Sequence, residues 1–161
     1  MPIDKGILGI AGEFAVASEL CRRNIYAQLT LGNQKRTDLL VYKGDSYVRI
    51  EVKAKQGREW PNCKGVTGDA FLVFVDFAQR GEGDRPDFYV LTADHWKSIM
   101  VGKRDAYHAR YPDRHAEIID NCLVFHSEVN KHGKPYKGCG VKPQDLRDHL
   151  ERWDRVQETV D

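Results

Sequence analysis

The sequence predicts an α/β fold in which a mixed central β-sheet is flanked by helices. Three observations support it: helical apolar spacing near the N-terminus, a β-hairpin pattern over 37–56, and a strongly apolar strand at 70–77. A chain of 161 residues can bury a core of its own, so we expect a single domain over 1–161.

Composition is that of an ordinary globular protein, with 41% hydrophobic and 30% charged residues. The net charge of +1 gives no global electrostatic reason to bind nucleic acid. From Arg22 to Lys64, however, the sequence contains ten basic residues and only four acidic ones. This local excess is typical of a phosphate-binding surface and also of a solvated charged face.

The N-terminus lacks the apolar core of a signal peptide, and no stretch approaches the ~18 apolar residues that span a bilayer. The four cysteines show neither CxxC spacing nor the density of a disulfide scaffold. We therefore expect a reduced cytoplasmic protein without a membrane partner.

The first predicted element is a helix from about Lys5 to Arg23, capped by Asp4. Glu13 lies within it among small and apolar neighbours, and spacing alone favours a solvent edge and a functional role equally. Gly9 and Gly12 would let the helix approach the sheet. The residues expected on its buried side recur at helical spacing: Ile7, Ile10, Ala11, Phe14, Ala17 and Cys21.

The hairpin is predicted from two alternating runs around a Gly44-Asp45 turn. Counting outward pairs Asp38 with Glu51, so that their Cβ atoms lie about 5 Å apart. Strand alternation then gives one apolar face, formed by Leu39, Val41, Val48, Ile50, Val52 and Ala54. The opposite face carries Asp38, Leu40, Tyr42, Tyr47, Arg49, Glu51, Lys53 and Lys55.

Two facing carboxylates destabilise a hairpin unless something neutralises them, and a divalent cation would do so. Lys53 follows on the same face, where an ammonium would stabilise developing negative charge or hold a water molecule. This arrangement is typical of metal-assisted attack on a phosphodiester.

Asp38 followed by Glu51-Val52-Lys53 resembles the D…(D/E)xK core of the PD-(D/E)xK nuclease superfamily, which includes restriction endonucleases and archaeal Holliday-junction resolvases. Thr37 stands where the superfamily usually has proline. The resemblance covers residues 1 to about 56. It implies a restriction endonuclease-like fold and a nuclease that hydrolyses DNA with Mg²⁺ or Mn²⁺.

The resemblance also implies roles for individual residues. Glu13, Asp38 and Glu51 would bind the metal, with the backbone carbonyl of Val52 as a further candidate ligand, and Lys53 would position water and stabilise the phosphate. Glu13 matches a glutamate on the first helix of resolvase-like members. Glu19, the other acid on this helix, is expected to be solvated near Arg22 and Arg23.

Four residues near this site are candidates for substrate binding: Lys35 and Arg36 in the loop before Asp38, and Lys55 and Gln56 after Lys53. The loop pair would contact backbone phosphates, although solvation explains them equally well. Two chains could pair as a homodimer to cut both strands.

The remaining elements are predicted more coarsely. We expect strands at 25–30, 70–77, 87–92 and 122–126, a helix from Thr92 or Asp94 to about Val101, a loop over 130–140 and a helix over 143–156. Residues 103–115 give no clear pattern.

Several alternatives accompany this interpretation. His126, Asn130 and His132 suggest an HNH nuclease only if they lie in a ββα unit. His95, His108, His115 and His149 lack paired-ligand spacing, so surface or packing roles are expected. Pro86-Asp87 supplies a literal PD without a following (D/E)xK. The nuclease fold could also serve as a non-catalytic nucleic-acid-binding or protein-interaction module, or the charged residues could form a plain salt-bridge cluster.

Overall fold

The computed structural model describes residues 2–30 and 37–161. Its helices are α1 (Lys5–Arg22), α2 (Ala93–Arg110), a 3₁₀ helix (Pro143–His149) and α3 (Asp154–Val160). Its strands are β1 (Ala27–Leu29), β2 (Leu39–Lys43), β3 (Ser46–Lys55), β4 (Trp60–Cys63), β5 (Phe71–Asp76), β6 (Asp87–Thr92), β7 (Ala116–Ile119), β8 (Cys122–Val129), β9 (Pro135–Lys137) and β10 (Cys139–Val141).

The central sheet has five strands in the order β1-β2-β3-β5-β6. Only β3 and β5 are parallel among these neighbours, so the sheet is mixed, as predicted. Two smaller sheets, β10-β4 and β7-β8-β9, complete the described strands.

The predicted hairpin is confirmed in its register. Leu39 pairs with Ile50, Val41 with Val48, and Lys43 with Ser46. Its apolar face is buried as expected, because alternation directs those side chains to one core.

Strand β5 separates two hydrophobic cores, since its alternate residues enter different ones. Phe71, Val73 and Val75 belong to the core beneath α1 and α3, whereas Leu72 and Phe74 pack with α2 and the smaller sheets. This confirms that 70–77 contains a central strand buried on both faces.

Helix α1 presents the opposite face to the one predicted. Ile7, Ile10 and Phe14 are more than half exposed, and the buried residues are Leu8, Gly12, Val16, Glu19 and Leu20. The helix has apolar residues on both sides, and the side with Gly12 faces β3, where a Cβ would lie 2.8 Å from Ala54 Cβ. Nothing lies within 4 Å of a Cβ built at Gly9, so only Gly12 is needed for close packing.

Other differences lie in the C-terminal half. Helix α2 begins after the Thr92 cap as predicted but continues through much of 103–115. The predicted loop at 130–140 contains β9 and part of β10. The predicted helix over 143–156 is two helices, separated where Leu150 bridges Tyr89.

Among the described residues, no helix combines the length and apolar character that crossing a bilayer requires.

Candidate active site

Asp38 lies immediately before β2 and is held by the main chain on both sides. Its amide donates to Ile50 O (2.9 Å), and its carbonyl accepts from the Thr30 amide (2.9 Å). Its side-chain Oδ2 accepts from the Val52 amide at 2.6 Å. The carboxylate therefore lies directly over β3, next to Glu51.

Glu51 and Lys53 lie on β3 with one residue between them, so they share a face. Lys53 Nζ lies 2.5 Å from Glu51 Oε1, and the Glu51 side chain is only 5% exposed whereas that of Lys53 is 34% exposed. Within the part of the chain that the structure describes, Glu51 Oε2 has no hydrogen-bond partner. A buried carboxylate oxygen without a partner is costly, which marks this atom as one able to take a ligand.

Glu13 reaches the same place from α1, because the contact of Gly12 with β3 brings the helix close to the strand. The Glu13 side chain is partly buried. Burial, and then the negative charge of Asp38, raise the pKa of Glu13. The two carboxyl groups are thus near enough to influence each other electrostatically.

The pKa of Asp38 is also raised, and burial is the main cause. The Val52 hydrogen bond and the charge of Lys53 oppose this rise, whereas the charge of Glu51 adds to it. The structure therefore brings together all four predicted catalytic residues: Glu13, Asp38, Glu51 and Lys53. Glu51 Oε2, which has no hydrogen-bond partner among the described residues, and the carboxylates of Asp38 and Glu13 supply the hard oxygen donors that Mg²⁺ or Mn²⁺ prefers.

Lys55 occupies a different environment from the one expected of an open substrate contact. Its Nζ lies 2.5 Å from Asp76 Oδ1, donates to Gly57 O (3.0 Å) and lies 4.6 Å from the centroid of the Trp60 ring. Its side chain is 3% exposed. Lys55 therefore joins β3 to β5 through a buried ion pair, and its contact with substrate stays a prediction.

Gln56 also makes a structural contact, since its amide exchanges two hydrogen bonds with the backbone of Ile3 (2.9 and 2.8 Å). Val52 packs its side chain in the core, and the role of its carbonyl stays a prediction. Lys35 and Arg36 lie outside the described residues.

A groove of about 870 Å³ begins at Lys55 and Gln56, immediately beyond Lys53 on the chain. Arg58 and Lys142 are exposed residues in its lining. Basic groups along a groove that Lys55 and Gln56 also line are placed to contact a polyanion.

Sequence reasoning missed some partners and misjudged others. Asp76 was not linked to Lys55, because their pairing depends on the parallel register of β3 and β5. Glu19 is not solvated: Arg85 and Arg23 bind it, and their hydrogen bonds lower its pKa to about 2 despite burial. The available signal in the sequence was the position of Glu19, three and four residues before Arg22 and Arg23 at the end of the helix.

The alternative motifs do not form the units they would require. Asn130 accepts backbone hydrogen bonds from His132 and Lys134 in the turn between β8 and β9, so this stretch is a hairpin and not ββα. Asp87 of the literal PD pairs with Arg80 at 2.6 Å.

No family model and no curated protein matches the chain. Among solved structures, the bacterial homing endonuclease I-Ssp6803I matches over 98% of this chain and 95% of its own, with a TM-score of 0.50 at 14% identity. The Holliday junction resolvase Hjc of Archaeoglobus fulgidus matches over 92% of this chain and 95% of its own, with a TM-score of 0.46 at 12% identity. The match to the homing endonuclease shows that the chain shares its fold, which is the restriction endonuclease-like fold that the resemblance implied.

Proposed function

We propose that this protein is a divalent-metal-dependent nuclease that hydrolyses phosphodiester bonds, most readily in DNA. The observation that carries the proposal is the buried Glu51 carboxylate, whose Oε2 has no hydrogen-bond partner among the described residues while Asp38 and Glu13 lie nearby. Lys53 pairs with the other oxygen, Oε1, and a second cation would compensate for the lost solvation of Oε2.

Glu13, Asp38 and Glu51 would hold Mg²⁺ or Mn²⁺, with the Val52 carbonyl as a further possible donor. When bound, the cation supplies charge stabilisation to the reacting phosphate and lowers the pKa of water. The Val52 amide fixes the direction of the Asp38 carboxylate through a 2.6 Å hydrogen bond. Glu13 is on a helix, Glu51 is on a strand, and Asp38 is fixed by backbone hydrogen bonds directly before β2, which gives the site a rigid geometry.

Lys53 would orient the attacking water and stabilise the extra negative charge that develops on the phosphate oxygens. Its Nζ is anchored at one side by Glu51 Oε1, and about a third of its side chain is exposed. An ammonium held in this way is positioned before substrate arrives, so little reorganisation is needed during the reaction.

We further propose that DNA follows the groove beyond Lys53, with Arg58 and Lys142 at its phosphates. Lys35, Arg36, Lys55 and Gln56 are the substrate contacts predicted from sequence. Phosphate contacts of this kind give affinity without sequence preference, and salt weakens them. The similarity of the fold to that of a homing endonuclease favours DNA as the first substrate to test.

Cutting both strands of a duplex requires two sites, so we propose that two chains pair. Helix α1 and the segment just before it carry a stripe of apolar side chains that are 42–61% exposed: Ile3, Ile7, Ile10 and Phe14. A second copy could cover this stripe with the same stripe of its own, as two-fold symmetry demands. Sedimentation should then give a dimer that Ile7→Glu and Phe14→Glu dissociate, whereas a monomeric parent protein would contradict the pairing.

The central experiment is cleavage of supercoiled, linear, branched and single-stranded DNA with Mg²⁺ or Mn²⁺. We expect cleavage that EDTA stops and that Glu51→Gln or Lys53→Met reduces at least about 100-fold, the scale of a lost transition-state contact. Lys43→Met, on the exposed far end of the same hairpin, is the matched control and should remain active.

Equal behaviour of the parent, Glu51→Gln and Lys53→Met on every DNA would refute catalysis on DNA, and RNA would be tested next. DNA binding that survives both EDTA and the loss of Asp38 and Glu51, without cleavage, would instead establish a non-catalytic binding module. The cytoplasmic location and the single domain over 1–161 stay predictions.

A further inference from the structure

Three possible metal-ligating side chains converge on the β7–β8 hairpin, which is not part of the five-stranded sheet. They are His115, Glu117 and His126, and one ligand atom from each lies within 4.8 Å of those of the other two. The sequence pattern predicts a surface or packing role for His115 and links His126 only to an HNH motif, because it does not show that β7 pairs with β8.

The hairpin register explains why the three side chains meet. Asp120 and Asn121 both have positive φ (50° and 57°), which is the two-residue turn that suits twisted antiparallel strands. Ala116 then pairs with Phe125, and the His126 amide donates to His115 O at 2.9 Å. The two histidines are therefore opposite each other, with ring centroids 5.2 Å apart.

Glu117 lies two residues after His115 and so shares its face of the strand. Its Oε1 is 2.6 Å from His126 Nε2. An ion pair accounts for Glu117 and His126 alone, and the hairpin register adds the His115 ring beside His126, with an interplanar angle of 23°. Convergence of all three donors is the arrangement that a bound metal would use.

The neighbouring structure holds these side chains in place. His108 stacks on His115 (6.2 Å, 14°), and its Nε2 accepts from the Ala116 amide at 3.1 Å, so that nitrogen is not free to bind a metal. Ala116 is buried, and Phe125 packs edge-on against Tyr107 at 4.9 Å. The hairpin backbone is thus fixed by its own core.

We propose that His115, Glu117 and His126 form a site for Zn²⁺ or a similar transition-metal ion, separate from the carboxylate site at Asp38 and Glu51. Two imidazoles and one carboxylate favour such a metal over Mg²⁺, which prefers oxygen ligands. Three protein ligands leave a fourth position for water, because both histidines are exposed. The ion would link β7 to β8.

The test is a titration of metal-free protein with Zn²⁺ in saturating Mg²⁺, read by calorimetry, together with the visible spectrum of Co²⁺ bound in its place. We expect one equivalent of Zn²⁺ per chain. His115→Ala, Glu117→Gln and His126→Ala should each weaken binding at least about 10-fold. His132→Ala removes an exposed histidine of the adjacent turn and should bind like the parent.

The variant Asp38→Asn separates this site from the proposed catalytic one, and it should bind Zn²⁺ normally. The proposal is overturned if the parent binds no Zn²⁺, if Mg²⁺ or Asp38→Asn removes the binding, or if His115→Ala and His126→Ala bind as tightly as His132→Ala. Thermal melts without metal identify any variant that fails to fold. If a histidine variant fails to fold, the Co²⁺ spectrum of Glu117→Gln decides the outcome in its place, because this substitution keeps the size of the side chain.

Discussion

Replacing Asp38 with Asn tests whether the carboxylates form a metal site at the expense of stability in the metal-free protein. Burial raises the pKa of Asp38 above its ordinary value of 3.8, and the charge of Glu51 adds to the rise. Between 3.8 and the raised pKa the folded state binds more protons than the unfolded state. The free energy of unfolding therefore falls as pH rises through that interval, and at about pH 8 the ionised protein carries the full cost.

The size of the effect follows from what Asn keeps and what it removes. Asn retains an oxygen that can accept from the Val52 amide, and it removes the charge next to Glu51. Removing a like charge near Glu51 gains up to about 1 kcal/mol; the relief of burial, the largest cause of the raised pKa, adds to this gain, and the lost attraction of Lys53 reduces it. Asp38→Asn should therefore be about 1 kcal/mol more stable than the parent in EDTA, which corresponds to a Tm about 2–4 °C higher.

Magnesium should reverse this order. A ligand at about 100 times its Kd adds about 2.7 kcal/mol to the parent, and the variant should gain much less. Circular-dichroism melts with EDTA and with Mg²⁺, at about pH 5 and pH 8, measure both effects. Asp45→Asn makes the same change at the exposed turn of the same hairpin and should follow the parent. A lower Tm for Asp38→Asn in EDTA at pH 8, or an undiminished response to Mg²⁺, would refute this reasoning.

Three further outcomes concern stability. In denaturant titrations, Gly12→Ala should destabilise the protein by about 1–3 kcal/mol, because the added Cβ overpacks against β3. Gly9→Ala should stabilise it by up to about 1 kcal/mol, because the space at its Cβ is open. Lys55→Met should lower the free energy of unfolding by about 3–5 kcal/mol, because it leaves the buried Asp76 charge without its ion-pair partner. The double variant Lys55→Met/Asp76→Asn should recover part of this loss. Weaker DNA binding at unchanged stability would instead make Lys55 a substrate contact. Burial lowers the pKa of His149 to about 4, so melts of the parent should show stability falling as pH drops from about 6.5 to 4, and His149→Gln should flatten that slope.

The hairpin was predictable because its information is local. A Gly-Asp turn, two alternating runs and a period of two fix the register of Leu39 with Ile50, and a shift of one residue would have mixed the faces. The buried face of α1 was not predictable in this way. Ile7 and Leu8 are adjacent apolar residues on different sides, and only contact with β3, through the small residue Gly12, decides which side is buried.

Long-range pairs set the limit of the sequence argument for the site. Asp76 meets Lys55 only because β3 and β5 run parallel in one particular register, joined by a crossover whose path no local pattern describes. The contact of His115 with His126 likewise depends on residues 116–119 being a strand that pairs with β8. Asp38, Glu51 and Lys53 could be grouped from the sequence because one local element, the hairpin, carries them. Glu13 was singled out by the family resemblance, since spacing alone left its role open.

Strand β3 itself shows why the unpartnered oxygen of Glu51 points to a ligand. Lys55 lies on the same face and is equally buried, yet the fold gives its ammonium an acidic partner in Asp76, a carbonyl at Gly57 and the ring of Trp60. The same strand therefore compensates a buried charge fully where the role is structural. At Glu51 it supplies Lys53 to one oxygen and, among the described residues, nothing to the other. This contrast within one strand is our reason for proposing that Glu51 Oε2, beside two more carboxylates, binds a cation.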